Sequence, residues 1–414
     1  MSPLKIQLDY AAESPLPLDV GSSRLLANCH GPPALSPAEA TTALAEALST
    51  PLSGPPLARH VVPGDRVVIA VPEWLPGGNP TLELLFQEVS SHLTSGGVDP
   101  DDISLLVAPS LSLLGDEGGH SGPPNLPASL ADRTTRFCPD QAEETAYLLG
   151  DAHGEPLHLA RQLVDADVVI AVEPFGYDAA LGGRSPEGSL WPSFARPDRR
   201  LALARGLLAN RLPTLRAWRA LAGEVTSQLG LLASLRLTAG RGDSLGGLCF
   251  GFPADSRKRA RQLAGGWRPA PTERAAVTVA GVASPHCSLA TITRAVAAAA
   301  RVTRPDGTIC LATDLAAVPD GFFTNWRRGE PLQMVVGDAA GADDPAMLAE
   351  ALQTLVFARA LADRRLVLLA NLDEETVENL DIGHADSPDA VNRLVRQADS
   401  LAVLHEADRL CPSR

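Results

Sequence analysis

The sequence predicts an α/β protein built as two α/β domains with mostly parallel sheets and a cleft between them. Three features carry that expectation. Short continuous apolar runs bounded by Gly, Pro or Asp recur along the 414 residues, as in strands buried on both faces. They alternate with amphipathic or Ala/Leu-rich stretches of helical length, the pattern of βαβ units and hence of a parallel sheet. Between two such series lies Trp267-Arg268-Pro269-Ala270-Pro271-Thr272, the best linker in the chain, so domains are expected at 1–268 and 269–414.

Lys5 to Tyr10 reads as a first strand. Ser36-Pro37 suits the cap and first position of a helix to about Leu48. Val67 to Val71 is a buried strand introduced by the turn Pro63-Gly64-Asp65. Asn79-Pro80 is expected to cap a helix through about Ser95, with Leu82, Leu85, Phe86, Val89 and Leu93 on one face and Gly96-Gly97 as its stop. His92 on that helix reads as a boundary histidine. Ile103 to Ala108 gives the next strand, and 115–135, rich in Gly, Pro and Asp, reads as a loop containing a solvated His120. A helix is expected around Leu157 to Leu163. Then comes Val168 to Val172, an apolar run followed by the glycine-rich loop Gly176 to Gly188. Ligands in open α/β sheets bind beyond the carboxyl ends of strands, so this loop is the first place to look for a site.

Leu201 to Leu212 and Thr214 to Leu229 read as helices. A hairpin is expected from Leu229 to Phe252, with Gly242-Asp243-Ser244-Leu245-Gly246 at its turn. That pentapeptide matches the G-x-S-x-G pattern, but a nucleophile elbow requires a helix after the turn and here an extended, glycine-broken strand follows. A helix from Asp255 to Gly265 precedes the linker. Beyond it the expected order is strand (275–282), a helix capped by Ser288, strand (308–312), a helix from Pro345, strand (366–370), two helices and a last strand (400–405).

Composition excludes several classes of function. Apolar content is 45% with mean hydropathy +0.03, and no apolar run approaches the ~20 residues needed to span a bilayer. The first residues lack the charged and apolar regions of a signal peptide, so a cytoplasmic location is expected. Six scattered cysteines, with no C-x-x-C spacing, fit reduced thiols rather than disulfides or zinc. A net charge of −14 argues against a nucleic-acid partner. His286-Cys287 alone makes no metal site. Lys5 and Lys258 are the only lysines, so a lysine-dependent mechanism has two candidates.

The strand 168–172, Pro174, an aromatic segment and Gly182-Gly183-Arg184 together resemble the core motif of the nickel-pincer-nucleotide lactate racemases. Pro63-Gly64-Asp65 with its strand, and Arg304-Pro305-Asp306-Gly307-Thr308, are similar to further segments of that family, and the order of elements parallels it over nearly the whole chain. The resemblance implies a nickel-pincer nucleotide attached to a Lys, a phosphate clamp, and two acid/base histidines. This sequence carries Ser185 at the Lys position, Phe175 and Ser112 at the His positions, Leu113 at a neighbouring Arg, and Glu73-Trp74-Leu75-Pro76 at the phosphate motif. Arg196-Pro197-Asp198 stands where the family has an Asn-His pair. Arg294 and Thr291 stand where it has a substrate-contacting Lys and a Gln, so Arg294 keeps a cation able to hold a carboxylate.

Loss of anchor, proton shuttle and phosphate clamp together removes a site that acts as a unit. The reading favoured is a lactate-racemase-like protein that is catalytically inactive or repurposed, with a small anionic ligand in the interdomain cleft. The residues expected around that ligand are Glu73, Trp74, Phe175, Tyr177, Asp178, Gly182, Gly183, Arg184 and Arg294, with no metal and no cofactor. One alternative is an active 2-hydroxy-acid racemase using the nickel-pincer nucleotide by hydride transfer. The other is an enzyme of different chemistry built on Glu73, Asp178 and Arg184.

Overall fold

The computed structural model describes residues 4–10, 15–108, 128–151, 154–183, 190–231, 233–283 and 287–413. The hairpin β1 (Lys5–Leu8) and β2 (Leu16–Asp19) precedes β3 (Arg24–Cys29) and α1 (Pro37–Ser49). Ser36 caps α1 through a box: its hydroxyl accepts from the Glu39 backbone N–H while its own N–H donates to the Glu39 carboxylate at 2.8 Å. The chain continues through β4 (Val67–Pro72), α2 (Gly78–Ser95), β5 (Ile103–Ala108), β6 (Thr134–Arg136), the antiparallel pair β7 (Thr145–Gly150) and β8 (Pro156–Ala160), and α3 (Arg161–Val164). Next come β9 (Val168–Phe175), α4 (Pro197–Gln228), β10 (Ser234–Ala239), β11 (Leu245–Gly251) and α5 (Pro253–Leu263).

These strands make a six-stranded sheet in the order β11-β10-β9-β4-β5-β6, parallel except for β10 against β11. Two expectations need correction here. The cap of α2 is Gly77, at φ +82, not Asn79, which falls inside the first turn; the left-handed backbone at that point suits glycine. The stretch expected to be a helix from Leu157 is mostly strand β8, with Leu157, Leu159 and Ala160 buried and only 161–164 helical. The two helices expected at 201–229 are merged into α4 but broken at Asn210 (φ −153, ψ 87), because Pro213 lacks the N–H for Ala209 and its ring clashes with that turn.

The second half comprises β12 (Ala275–Gly281), α6 (Leu289–Val302), β13 (Thr303–Ala312), α7 (Phe322–Arg327), α8 (Leu332–Ala340), α9 (Pro345–Leu361), β14 (Arg365–Leu369), α10 (Glu374–Asn379), β15 (Gly383–His384), α11 (Pro388–Gln397) and β16 (Ser400–Leu404). Its sheet runs β15-β14-β13-β12-β16-β3 and every neighbouring pair is parallel. The outermost member, β3, comes from the start of the chain. The β1–β2 hairpin also covers this sheet, with Leu8, Leu16 and Leu18 packed against Val279, Cys310 and Val403. Of the strands in the two six-stranded sheets, β3 alone pairs with strands from the other end of the chain.

One apolar cluster joins the halves. It includes Phe175 at the end of β9, Leu203 and Leu207 of α4, Trp267 of the linker, and the buried faces of α6 and α9. In α6 nearly every residue from Leu289 to Val302 is buried, which its run of alanines permits by letting helix and sheet approach closely. Phe357 on α9 is fully buried with Phe323 at 5.0 Å and Trp326 at 6.2 Å, both edge-on. Truncation to Phe357→Ala is expected to cost about 3–5 kcal/mol in chemical denaturation. A loss below ~1 kcal/mol would mean that the three rings do not form a packed unit.

Candidate functional site at the seam between the sheets

The carboxyl ends of strands from both sheets meet at one seam. From the first sheet come Glu73 after β4, Phe175 at the end of β9 and the loop from Gly176 to Gly183 that follows it. From the second come Thr313 and Asp314 after β13, and His405 to Cys411 after β16. The tight turn between β10 and β11 crosses this seam. The Gly242 N–H donates to Glu406 Oε1 at 2.8 Å, Asp243 pairs with Arg409 at 2.8 Å, and Arg241 Nε donates to the Gly31 carbonyl at 2.7 Å. The G-x-S-x-G segment is thus a hairpin turn that docks one half on the other, with a strand and no helix after it.

At the end of β9, Phe175 is buried and lies edge-on to Tyr177 of the following loop at 5.6 Å. The Tyr177 hydroxyl donates to the Arg261 carbonyl at 3.2 Å, and the Arg268 guanidinium sits 5.2 Å over its ring. Asp178 folds the loop on itself: its carboxylate accepts the N–H groups of Ala180 (2.8 Å) and Leu181 (3.2 Å), and its carbonyl accepts that of Gly183 (2.8 Å). Gly182 and Gly183 follow at φ +77 and +79. A Cβ on Gly183 would stand 2.8 Å from Cys411 Sγ, so only glycine lets the loop approach the second half this closely. Arg184, like Ser112, Leu113, His120, Ser185 and His286, lies outside the described residues.

Charge is concentrated around this loop. Arg211 Nη1 donates to the Ala180 carbonyl at 2.9 Å, and Arg301 Nη1 donates to the Pro412 carbonyl at 2.8 Å. Arg294 is half-buried on α6, and its charge opposes the upward pKa shifts of both Asp178 and Asp408. Lost solvation raises the pKa of Asp178, opposed by Arg294, the two backbone N–H groups and Arg211. Lost solvation likewise raises that of Asp408, against the pull of Arg409 and Arg294. Burial also pushes the thiols up: Cys411 in spite of Arg301 and Arg268, and Cys287 to about 12, with its Sγ 2.8 Å from Thr313 Oγ1.

Glu73 lies at the other end of the seam and pairs with Arg136 of β6 at 3.2 Å. The second Arg136 nitrogen, Nη2, is buried without a partner among the described residues. Arg200 of α4 is nearby: burial lowers its pKa while Glu73 and Asp140 raise it. Trp74 is half-buried beside this cluster's acid. Beyond the docked turn, His30 and His405 stack at 3.7 Å, with His405 Nε2 2.9 Å from Asn28 Oδ1. Burial, then His30 and Arg241, push His405 down to about 4.

Of the expected residues, Phe175, Tyr177, Asp178, Gly182, Gly183 and Arg294 are thus gathered at one part of the seam, and Glu73 and Trp74 at another. Sequence reasoning missed Arg136, Arg200, Arg211, Arg268, Arg301 and Asp408. Arg268 is in the quoted linker and so was open to view, but nothing local marks any of the six as facing a shared loop. No group of three or more His, Cys, Asp or Glu side chains able to hold a metal is found among the described residues. None of the helices among them is long and apolar enough to cross a membrane.

Two mostly parallel α/β halves meeting at their carboxyl ends define the class: a two-domain α/β fold of the lactate-racemase kind. Among solved structures the chain is similar to the lactate racemase apoprotein from Thermoanaerobacterium thermosaccharolyticum, with TM-score 0.75 and 14% identity over 99% of this chain and 100% of that one. It is similar also to a Thermotoga maritima protein, with TM-score 0.57 and 13% identity over 93% and 99% of the respective chains. At such identities the likeness is one of fold. No family model and no curated protein sequence matches the chain.

Two predictions test this geometry. Gly183→Ala should destabilise more than Gly182→Ala, for which the nearest atom is 3.9 Å away; both carry a left-handed cost of about 1–2 kcal/mol, and Gly183 adds the Cys411 contact. In a double-mutant cycle by chemical denaturation, Cys411→Ala should recover part of the Gly183→Ala loss, and strict additivity would show that the two do not touch. For His405, the folded chain resists a proton that the unfolded chain accepts near 6.5. Its contribution is therefore intact above pH 6.5 and is lost as pH falls toward 4. His405→Gln should flatten the fall in stability over that window, as read from melting temperature against pH; an unchanged slope would remove His405 as a cause.

Proposed function

We propose that this chain is a lactate-racemase-like protein repurposed to bind a small anionic ligand at the seam, without nickel-pincer chemistry. The observation that carries the reading is the convergence of guanidinium groups on the loop 178–183. Arg301 and Arg268 nitrogens lie 3.8 and 3.9 Å from the Cβ position of Gly183, an Arg211 nitrogen lies 3.9 Å from that of Gly182, and Arg294 acts on Asp178. A planar guanidinium matches a carboxylate with two parallel N–H donors, and several in a partly dry place attract anions strongly. At the Glu73 end, Arg136 and Arg200 extend the cationic lining.

The residues present do not fit the covalently held cofactor that the fold family implies. Phe175, at the position where the resemblance calls for an imidazole, is an apolar ring packed in the core. The two lysines sit on β1 and on the outer face of α5, both exposed, so neither is an anchor for a nucleotide at the seam. No reaction step is therefore routed through nickel. Full-length likeness of fold to a lactate racemase supports one competing reading, an active racemase, and that reading has its own test below. We take the protein to be cytoplasmic with no nucleic-acid or membrane partner, as its net charge of −14 and scattered cysteines suggest.

Thermal-shift titration with acetate, lactate, oxalate and phosphate, with chloride as the comparator, tests the proposal. At least one of these anions should raise the melting temperature with saturation, and Arg294→Gln should weaken that ligand about 10-fold or more, as expected for a charge-assisted hydrogen bond. Equal response to chloride, or no effect of Arg294→Gln, would sink the anion reading. The racemase reading predicts one nickel per chain and a visible absorbance band after co-expression with the cofactor-synthesis enzymes. Nickel at that stoichiometry would overturn the proposal, and its absence would retire the racemase.

A further inference from the structure

We propose that a second ligand site, for a small α-amino acid carried as its zwitterion, lies in the pocket between α7 and α10. The pocket has a volume of about 170 Å³. Its walls are the segments that follow the carboxyl ends of the neighbouring parallel strands β13 and β14, the side on which open α/β sheets receive ligands. None of the residues that line it belongs to the seam loop or to the Glu73 cluster.

The two walls are tied to each other within the protein itself. Arg327 at the end of α7 reaches across to the Asp381 carbonyl beyond α10 at 2.6 Å, and its guanidinium lies 4.9 Å over the Trp326 ring. The Asn371 N–H after β14 donates to the Leu315 carbonyl after β13 at 3.0 Å. One threonine lines the pocket from each wall. The buried Thr324 of α7 accepts the Gly321 N–H at 3.3 Å and donates its own proton to the Pro319 carbonyl. Thr376 of α10 donates its proton to Asp373 at 2.8 Å. With both protons committed, what each hydroxyl can still offer a ligand is an acceptor lone pair.

Charge of both signs reaches the same space. Arg328 at the end of α7 and Asp320 just before it pair at 3.4 Å, with 59% and 84% of their side chains exposed. An exposed pair of this kind contributes little to stability, so a ligand opens it at small cost. Opened, it presents a guanidinium to a carboxylate and a carboxylate to an ammonium, whose remaining donors suit the threonine lone pairs. A ligand of one sign gains one partner and is repelled by the other. The two charges of an α-amino acid are as close together as Asp320 and Arg328 are, so it satisfies both at once. Val318 and Leu380 give the pocket an apolar part for a short side chain. A cavity of about 150 Å³ accommodates benzene, so this one suits about six to nine non-hydrogen atoms, the range from alanine to leucine.

Calorimetric titration of the full chain with L-alanine, L-valine and L-leucine at pH 7 tests the site. At least one of the three should bind with saturation. Isobutylamine and isovalerate keep the valine side chain but lack its carboxylate or its ammonium. Measured in the Arg294→Gln chain, so that the seam takes no part, each should bind about 10-fold or more weakly than the best amino acid. Asp320→Asn and Arg328→Gln should each weaken the amino acid by a similar factor, and because both positions are exposed the melting temperature without ligand should stay that of the parent. Arg294→Gln should leave amino-acid binding unchanged, which separates this site from the anion site at the seam. No saturable binding of any of the three, an affinity for isobutylamine or isovalerate equal to that for the amino acid, or binding that survives both Asp320→Asn and Arg328→Gln would overturn the proposal. Loss of binding in Arg294→Gln alone would overturn it too, by assigning the amino acid to the seam.

Discussion

The structure depends on one constraint: two parallel sheets present their carboxyl ends to the same seam and must be held there. Parallel strands carry their loops, and hence their adaptable chemistry, at that end, so whatever joins the halves also assembles the site. Two kinds of contact do the joining. The apolar cluster that runs from Phe175 through α4 to α6 and α9 supplies non-directional burial. The turn 241–243 supplies direction, through its contacts with Gly31, Glu406 and Arg409. Burial alone would allow the halves to slide; three polar contacts from one turn specify a register. The same turn is anchored to the first half by the Gly77 N–H on the Asp243 carbonyl at 2.8 Å, so it couples the cap of α2 to the end of β16.

Most of the fold was legible because its signals are local. Continuous apolar runs such as Val67–Pro72 and Ile103–Ala108 are buried at nearly every position, and the caps Ser36 and Ser288 sit where their side chains meet the first free N–H groups. What escaped was non-local or short. β3 gains its place only by pairing with β16, nearly four hundred residues on, and its own exposed and half-buried pattern does not reveal a partner. β6 has three polar residues. β8 turns within one residue into the four-residue helix α3, so its apolar positions can be read at either period.

The site was legible on one side only. A strand that ends in a glycine-rich loop marks itself, which is why Asp178, Gly182 and Gly183 were expected there. The cations that give the loop its character come from α4, α6, the linker and the helix end at Arg301, each an ordinary arginine in its own stretch of sequence. Asp408 is equally plain between Ala407 and Arg409, and only in the folded chain does burial raise its pKa against the pull of Arg409 and Arg294. Which groups share a site is a property of the seam, and the seam forms only when the whole chain has folded.

That asymmetry also explains how a fold can persist at low sequence identity. The chain keeps the fold of a lactate racemase at 14% identity over its full length, because many apolar side chains can fill the same volume. A reacting centre has no such latitude: an imidazole and a phenyl ring fill similar space, but only one can move a proton. Phe175 packs its ring edge-on against Tyr177. The cations around the neighbouring loop, by contrast, need no exact geometry to attract an anion, since Coulombic attraction falls off slowly in a partly dry site.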